Sequence, residues 1–171
     1  MSAPFIAVIP ARLASTRLPR KPLADLGGAP MVVRVAQQAA KSAASRVIVA
    51  TDSDEILQVC ADHHIEAIKT LASHPTGTDR LCEVVRLLDL ATDAIVVNVQ
   101  GDEPFIPPIL INQVANALAT NTQCAIATAA VTITDPAEIQ NPNVVKVVTN
   151  KHDEALYFSR ATIPFSRENQ V

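Results

Sequence analysis

Three short, nearly continuous apolar runs constrain this chain most: Phe5-Ile6-Ala7-Val8-Ile9, Val47-Ile48-Val49-Ala50 and Ala94 to Val99. A strand wetted on one face alternates apolar and polar residues, whereas a strand covered on both faces is apolar throughout. Between these runs the spacing turns helical. Val32, Val35, Ala36 and Ala39 follow Pro30, a helix is expected from about Ser53 to His63, and Leu81, Val84, Val85 and Leu88 follow Thr76-Gly77-Thr78-Asp79. A further helix is expected after Pro107-Pro108, and Glu66 to Lys69 reads as a short strand. Strand–helix alternation over the first 120 residues predicts a parallel sheet flanked by helices, an α/β fold. From Ala125 the rhythm changes. Ala125 to Ile133, Val144 to Val148 and Ala155 to Ser159 read as strands without long helices between them, a smaller β-rich extension.

The 171 residues suit one domain, with 49% apolar residues to fill a core. The net charge of −3 argues against a nucleic-acid surface, which shows as clustered Lys and Arg. Met1-Ser2-Ala3-Pro4 carries no basic leader and Pro10 stops the first apolar run, so no signal peptide, no membrane insertion and a cytoplasmic protein are expected. Cys60, Cys82 and Cys124 are odd in number and far apart, which points to buried reduced thiols. The chain stops at Val171 soon after a strand-like segment, and reads as one domain cut before its final elements.

In open α/β sheets ligands sit beyond the carboxyl ends of the strands. Four segments fall there. Pro10 to Pro22 carries Arg12, Arg17, Arg20 and Lys21 with Ser15 and Thr16 and no carboxylate, a composition that suits a triphosphate; a solvated basic loop is the plainer reading. It is neither a Walker A loop nor a dinucleotide fingerprint, both of which need glycines this chain lacks there. His74 to Arg80 offers Thr76, Gly77 and Thr78 to a base or ribose, and reads equally as a helix cap. Gln100-Gly101-Asp102-Glu103-Pro104 places a carboxylate where Mg²⁺ could be held against a phosphate, or forms a turn. Arg160 and Arg167 could pair with the carboxylate of an acidic substrate, although lone arginines are more often surface residues. Asp52 could cap a helix or bind a ligand. His63 and His64 suit a helix C-terminus, and no nucleophilic relay follows from spacing.

Six stretches in order, IPARLASTRLPRKPL, VIVATD, HPTGTDRL, VNVQGDEP, NPNVVKVV and ALYFSRATIP, resemble the 3-deoxy-manno-octulosonate (Kdo) cytidylyltransferases, also called CMP-Kdo synthetases. The resemblance implies a nucleotide-diphospho-sugar transferase fold, Rossmann-like and three-layered, with a mostly parallel mixed sheet. It implies a homodimer that converts CTP and Kdo to CMP-Kdo and pyrophosphate, for lipopolysaccharide synthesis. By the same resemblance Asp102 is a Mg²⁺ ligand, and Arg12 and Lys21 bind phosphate on the loop that also carries Ser15 and Arg17. Thr76, Gly77 and Arg80 surround the cytidine, and Gln100, Arg160 and Arg167 meet the sugar acid. Three departures stand out: Arg20 replaces a small residue and adds charge beside the triphosphate, Thr76 replaces Ser, and the family's C-terminal region, with a second metal-binding Asp, is absent. A cytidylyltransferase for another acidic sugar, or a non-catalytic CTP-binding fragment, remain the alternatives.

Overall fold

The computed structural model describes residues 4–13 and 18–165. Its contacts divide the chain into two units, Met1–Ala127 and Thr128–Val171.

The first unit is built on four parallel strands, β1 (Phe5–Ala11), β2 (Arg46–Thr51), β3 (Ala67–Lys69) and β4 (Ile95–Asn98), in the order β3-β2-β1-β4. Central β1 pairs with β2 from Ile6↔Arg46 to Ala11↔Thr51 and with β4 from Phe5↔Ile95 to Val8↔Asn98. Its side chains alternate between two cores, as the two-residue period requires. Phe5, Ala7, Ile9 and Ala11 join one cluster, with Val33 and Ala36 of α1 (Met31–Ala39), Ile56 and Cys60 of α2 (Asp54–Asp62) and Ile111 and Ala115 of α4 (Pro108–Thr120). Ile6 and Val8 join the other, with Leu81 and Val84 of α3 (Gly77–Leu87). The unbroken apolar run of β1 is thus the signature of a strand covered by helices on both faces. Full burial of one such Val or Ile side chain contributes about 1.5–3 kcal/mol.

Handedness explains the layers. From β1 to β3 the chain moves one way across the sheet, and from β3 to β4 it returns past both neighbours. A right-handed crossover then places α3 on the face opposite α1 and α2. The order therefore reverses between β1 and β4, whose carboxyl ends frame a crevice.

Local chemistry fixes the helix starts. The Ser53 hydroxyl accepts from the Ile56 amide to cap α2, Thr76 caps α3, and Pro108 opens α4 at a position that needs no amide donor. Asp52 is therefore no cap; its carboxylate takes another partner, described below. Of the three thiols only Cys60 is buried, where desolvation pushes its pKa up to about 11. Cys82 is exposed and Cys124 intermediate, against the expectation of three buried thiols.

The second unit holds the short helix α5 (Pro136–Gln140) and an antiparallel pair, β5 (Lys146–Thr149) and β6 (Ala155–Ser159). Asp135 caps α5 by accepting from the Ala137 amide, a start that the Asp-Pro pair announces. Lys146, 4% exposed, donates to the carbonyls of Asn141, Val144 and Arg160 and ties the start of β5 to the segment after α5 and to the end of β6. The expected strand Ala125 to Ile133 is not formed. A strand requires ladder hydrogen bonds to a neighbour, and this apolar run has none among the described residues. Residues 128–133 instead line a cavity of about 620 Å³ with Lys146, Val147 and Phe158. Leu156, Tyr157 and Phe158 of β6 are each more than half exposed.

Candidate active site

The carboxyl ends of β1 and β4 bring the first and third candidate segments together. Gly101 lies against the backbone of Pro10: a Cβ built on Gly101 would stand 2.6 Å from the Pro10 carbonyl oxygen. Nothing larger than hydrogen fits there without moving one strand end. This close approach lets Lys21, in the 3-10 turn Lys21–Leu23, reach across the crevice. Its Nζ donates to Asp102 Oδ2 at 2.6 Å. Both side chains keep access to solvent, 35% and 52% exposed, so each can exchange this partner for a ligand.

The second segment closes the same crevice from the other side of Pro10. Gly77 opens α3 with its Cβ position 3.4 Å from Pro10 Cγ. The first turn of α3 thus lies against the end of β1, and a helix N-terminus is the end that attracts anions. A capping box holds this turn: the Thr76 side chain accepts from the Asp79 amide, and Asp79 accepts from the Thr76 amide. The Thr76 hydroxyl also donates to the Asp79 carboxylate, which holds that carboxyl below its ordinary range. Arg12 donates from Nη1 to the Pro75 carbonyl at 3.4 Å, joining the β1 exit to the same loop. Thr78 and Gln100 are exposed at the two ends of the arrangement.

Removal of the Thr76 hydroxyl tests the cap. Thr76→Ala is expected to lower stability by about 1 kcal/mol in urea unfolding at neutral pH. The depressed Asp79 carboxyl contributes stability that is full above the unfolded carboxylate value near 4, and lost as pH falls through its lower folded value. The gap between wild type and Thr76→Ala is therefore expected to shrink in acid.

Behind this surface sits a polar cluster. Arg80, expected to face a cytidine, has no accessible surface. Its Nη2 donates to Asp52 Oδ2 at 3.2 Å, its Nη1 donates to the Thr70 hydroxyl, and its Nε has no partner. Arg80 therefore ties α3 to the ends of β2 and β3 from within. Asp52, a cap or ligand by its sequence position, is the partner of this buried cation. Nearby Glu83 accepts from the Leu71 amide at 2.9 Å and pairs with His74. The amide first and the imidazole second hold the Glu83 carboxyl below its usual value.

Arg20 also departs from expectation. Its guanidinium pairs with Glu55 in the first turn of α2, so its charge is matched by an acid and is not left for a phosphate. Glu55 carried no signal in the sequence, because the pairing spans 35 positions. Ser15, Arg17 and Arg167 lie outside the described residues. Arg160 belongs to the second unit, exposed, with Nη1 donating to the Pro142 carbonyl at 2.9 Å.

Among the described residues no group of three or more His, Cys, Asp or Glu side chains could hold a metal ion. No helix among them is long and apolar enough to cross a membrane.

The family model described as Cytidylyltransferase matches residues 6–171. Two curated relatives named 3-deoxy-manno-octulosonate cytidylyltransferase, from Polynucleobacter necessarius and Polynucleobacter asymbioticus, are 66% and 65% identical over 97% of the chain. The chain spans 65% of the length of each. Among solved structures, a CMP:2-keto-3-deoxy-manno-octonic acid synthetase complexed with CTP superposes with a TM-score of 0.83 at 37% identity. That match covers 96% of this chain and 67% of the other.

Proposed function

The chain belongs to the cytidylyltransferase family, and from that membership we propose that it supplies the catalytic crevice of an enzyme that joins CTP to Kdo, giving CMP-Kdo and pyrophosphate. The observation that carries the proposal is the Lys21–Asp102 pair, held across the β1–β4 switch point by the contact of Gly101 with Pro10. Two relatives carry this activity in their names, and the structural neighbour holds CTP.

The chemistry follows from the residues. The anomeric hydroxyl of the sugar acid attacks the α-phosphorus, and pyrophosphate departs from the opposite side. No covalent intermediate is needed, so the protein's work is to align the two reactants and offset charge. Lys21 and Arg12 lie on the segment that leaves β1, where their cations would take phosphate oxygens; Ser15 and Arg17, between them in sequence, are proposed for the same phosphates. The first turn of α3, with Gly77 and Thr78, would take the nucleoside. Gln100 would meet the sugar acid beside Asp102, and Arg160 and Arg167 are proposed for its carboxylate. Arg80 would act indirectly, by fixing the loop that carries α3.

Asp102 is the residue that would hold a metal ion. Mg²⁺ takes one or two carboxylates and completes its shell with phosphate oxygens and water. Asp102 is one exposed carboxylate at a strand end, and its present partner is a lysine that would prefer a phosphate. When bound there, the ion would offset charge on the α-phosphate and acidify the attacking hydroxyl. We further propose a cytoplasmic homodimer acting in lipopolysaccharide synthesis.

Pyrophosphate release with CTP, Mg²⁺ and Kdo tests the reading, with a second acidic sugar such as a sialic acid in parallel. Release with Kdo, absent with the other sugar and lost in Lys21→Met, is the expected result. CTP binding without release by this chain would identify a binding fragment.

A further inference from the structure

We propose that Arg20 is a positioning residue: paired with Glu55, it latches the backbone that carries Lys21. The proposal rests on the reading of Lys21 as a phosphate-binding residue, and concerns how that side chain is held.

Four non-glycine residues have positive φ among the described residues: Arg20, His64, Asp89 and Asp153. Of these, Arg20 alone forms an ion pair. Its φ of 59° and ψ of 26° lie in the left-handed region, which a side chain disfavours and glycine adopts freely. Nearby Gly27 and Gly28, at φ 64° and 85°, show what this chain uses where only a turn is needed. At position 20 it keeps a long cation in a strained conformation instead.

The backbone around Arg20 shows what the side chain holds. Its amide donates to the Leu13 carbonyl at 3.4 Å, where the chain leaves β1. Its carbonyl accepts from the Leu23 amide at 2.9 Å, and the Lys21 carbonyl accepts from Ala24 at 3.1 Å, forming the 3-10 turn. No side chain caps that turn. The guanidinium pairs with Glu55 on α2, while Lys21, one residue on, reaches Asp102 beyond β4. The peptide between residues 20 and 21 therefore links α2 to the β4 end through two ion pairs. The 3-10 turn alone is three residues long and could not hold its geometry in water. An exposed pair gives modest stability, which suits a segment that must yield when a triphosphate enters.

Three variants test this: Glu55→Gln, Arg20→Gly and the exchange Arg20→Glu with Glu55→Arg. Glycine is relaxed at this φ, so Arg20→Gly removes the side chain without adding strain. Amide hydrogen exchange needs no ligand. It is expected to quicken about two- to fivefold at Leu23 and Ala24 in Glu55→Gln and Arg20→Gly, with a return toward wild type in the exchange. Unchanged exchange in both single variants overturns the latch. Calorimetry with inorganic pyrophosphate adds the functional arm. Affinity is expected to fall about two- to fivefold in both single variants and to recover in the exchange. Weakening in Arg20→Gly without weakening in Glu55→Gln would assign the arginine directly to phosphate and overturn the proposal. Quickened exchange in both single variants, with no pyrophosphate binding by the wild-type chain, would keep the latch and sink the phosphate-binding reading of Lys21.

Discussion

Asp102→Asn is expected to cut pyrophosphate release roughly 10³-fold, about 4 kcal/mol of transition-state stabilisation, while making the protein bind metal-free pyrophosphate more tightly. The two effects have opposite signs for one reason. In the structure the Asp102 carboxylate neutralises Lys21 at 2.6 Å. Asparagine keeps the shape, removes the negative charge that would repel a phosphate, and frees the ammonium. Surface ion pairs are worth about 0.2–1 kcal/mol, so a gain of roughly two- to fivefold in affinity without metal is expected. The gain should shrink with added salt, because both side chains reach solvent. Calorimetry in EDTA measures it, and pyrophosphate release with Mg²⁺ measures the loss. Equal metal-free affinity in wild type and variant would show that Lys21 does not exchange Asp102 for phosphate.

Gly101→Ala should damage the site without touching a charged group. The added methyl carbon would stand 2.6 Å from the Pro10 carbonyl oxygen, far inside contact distance, and its obstacle is backbone. Relief requires the β4 exit to move from the β1 exit. Forced packing of this kind costs about 1–3 kcal/mol, visible as a lower urea midpoint. Asp102 would move with the loop that carries it. Displacement of a positioned group by about 1 Å lowers rates about 10²-fold, so turnover is expected to fall by that order even where the variant is fully folded. Glycine is required here for close approach. Wild-type rates from a folded Gly101→Ala protein would mean that the two strand ends are free to separate.

Much of this arrangement was legible in the residues. Phe5 to Ile9 and Val47 to Ala50 announced doubly covered strands because unbroken apolarity has one stable home in an α/β sheet. Thr76 and Asp79, three apart, announced a capped helix because both partners of a capping box lie in one turn. Asp102 and Lys21 were readable as candidates through the strand-end rule, although 81 residues separate them. Where the sequence misled, the missing information was long-range. Ala125 to Ile133 has the composition of a strand, but among the described residues no edge accepts its hydrogen bonds. Cys82 follows Leu81 on α3, yet the helix turns it to solvent.

Local signals, then, determined the elements: apolar period, helix caps and proline placement act within a few residues and leave their mark in the chain. The same signals placed the candidate cations and carboxylate at strand ends. Tertiary structure decided which charges meet. It buried Arg80 against Asp52 and Thr70, matched Arg20 to Glu55, and left Lys21 facing Asp102. No local composition could have separated these cations, because a cation's role depends on which carboxylate the fold brings within about 3–4 Å. That distance is set by the strand order β3-β2-β1-β4 and by one glycine packed against one carbonyl.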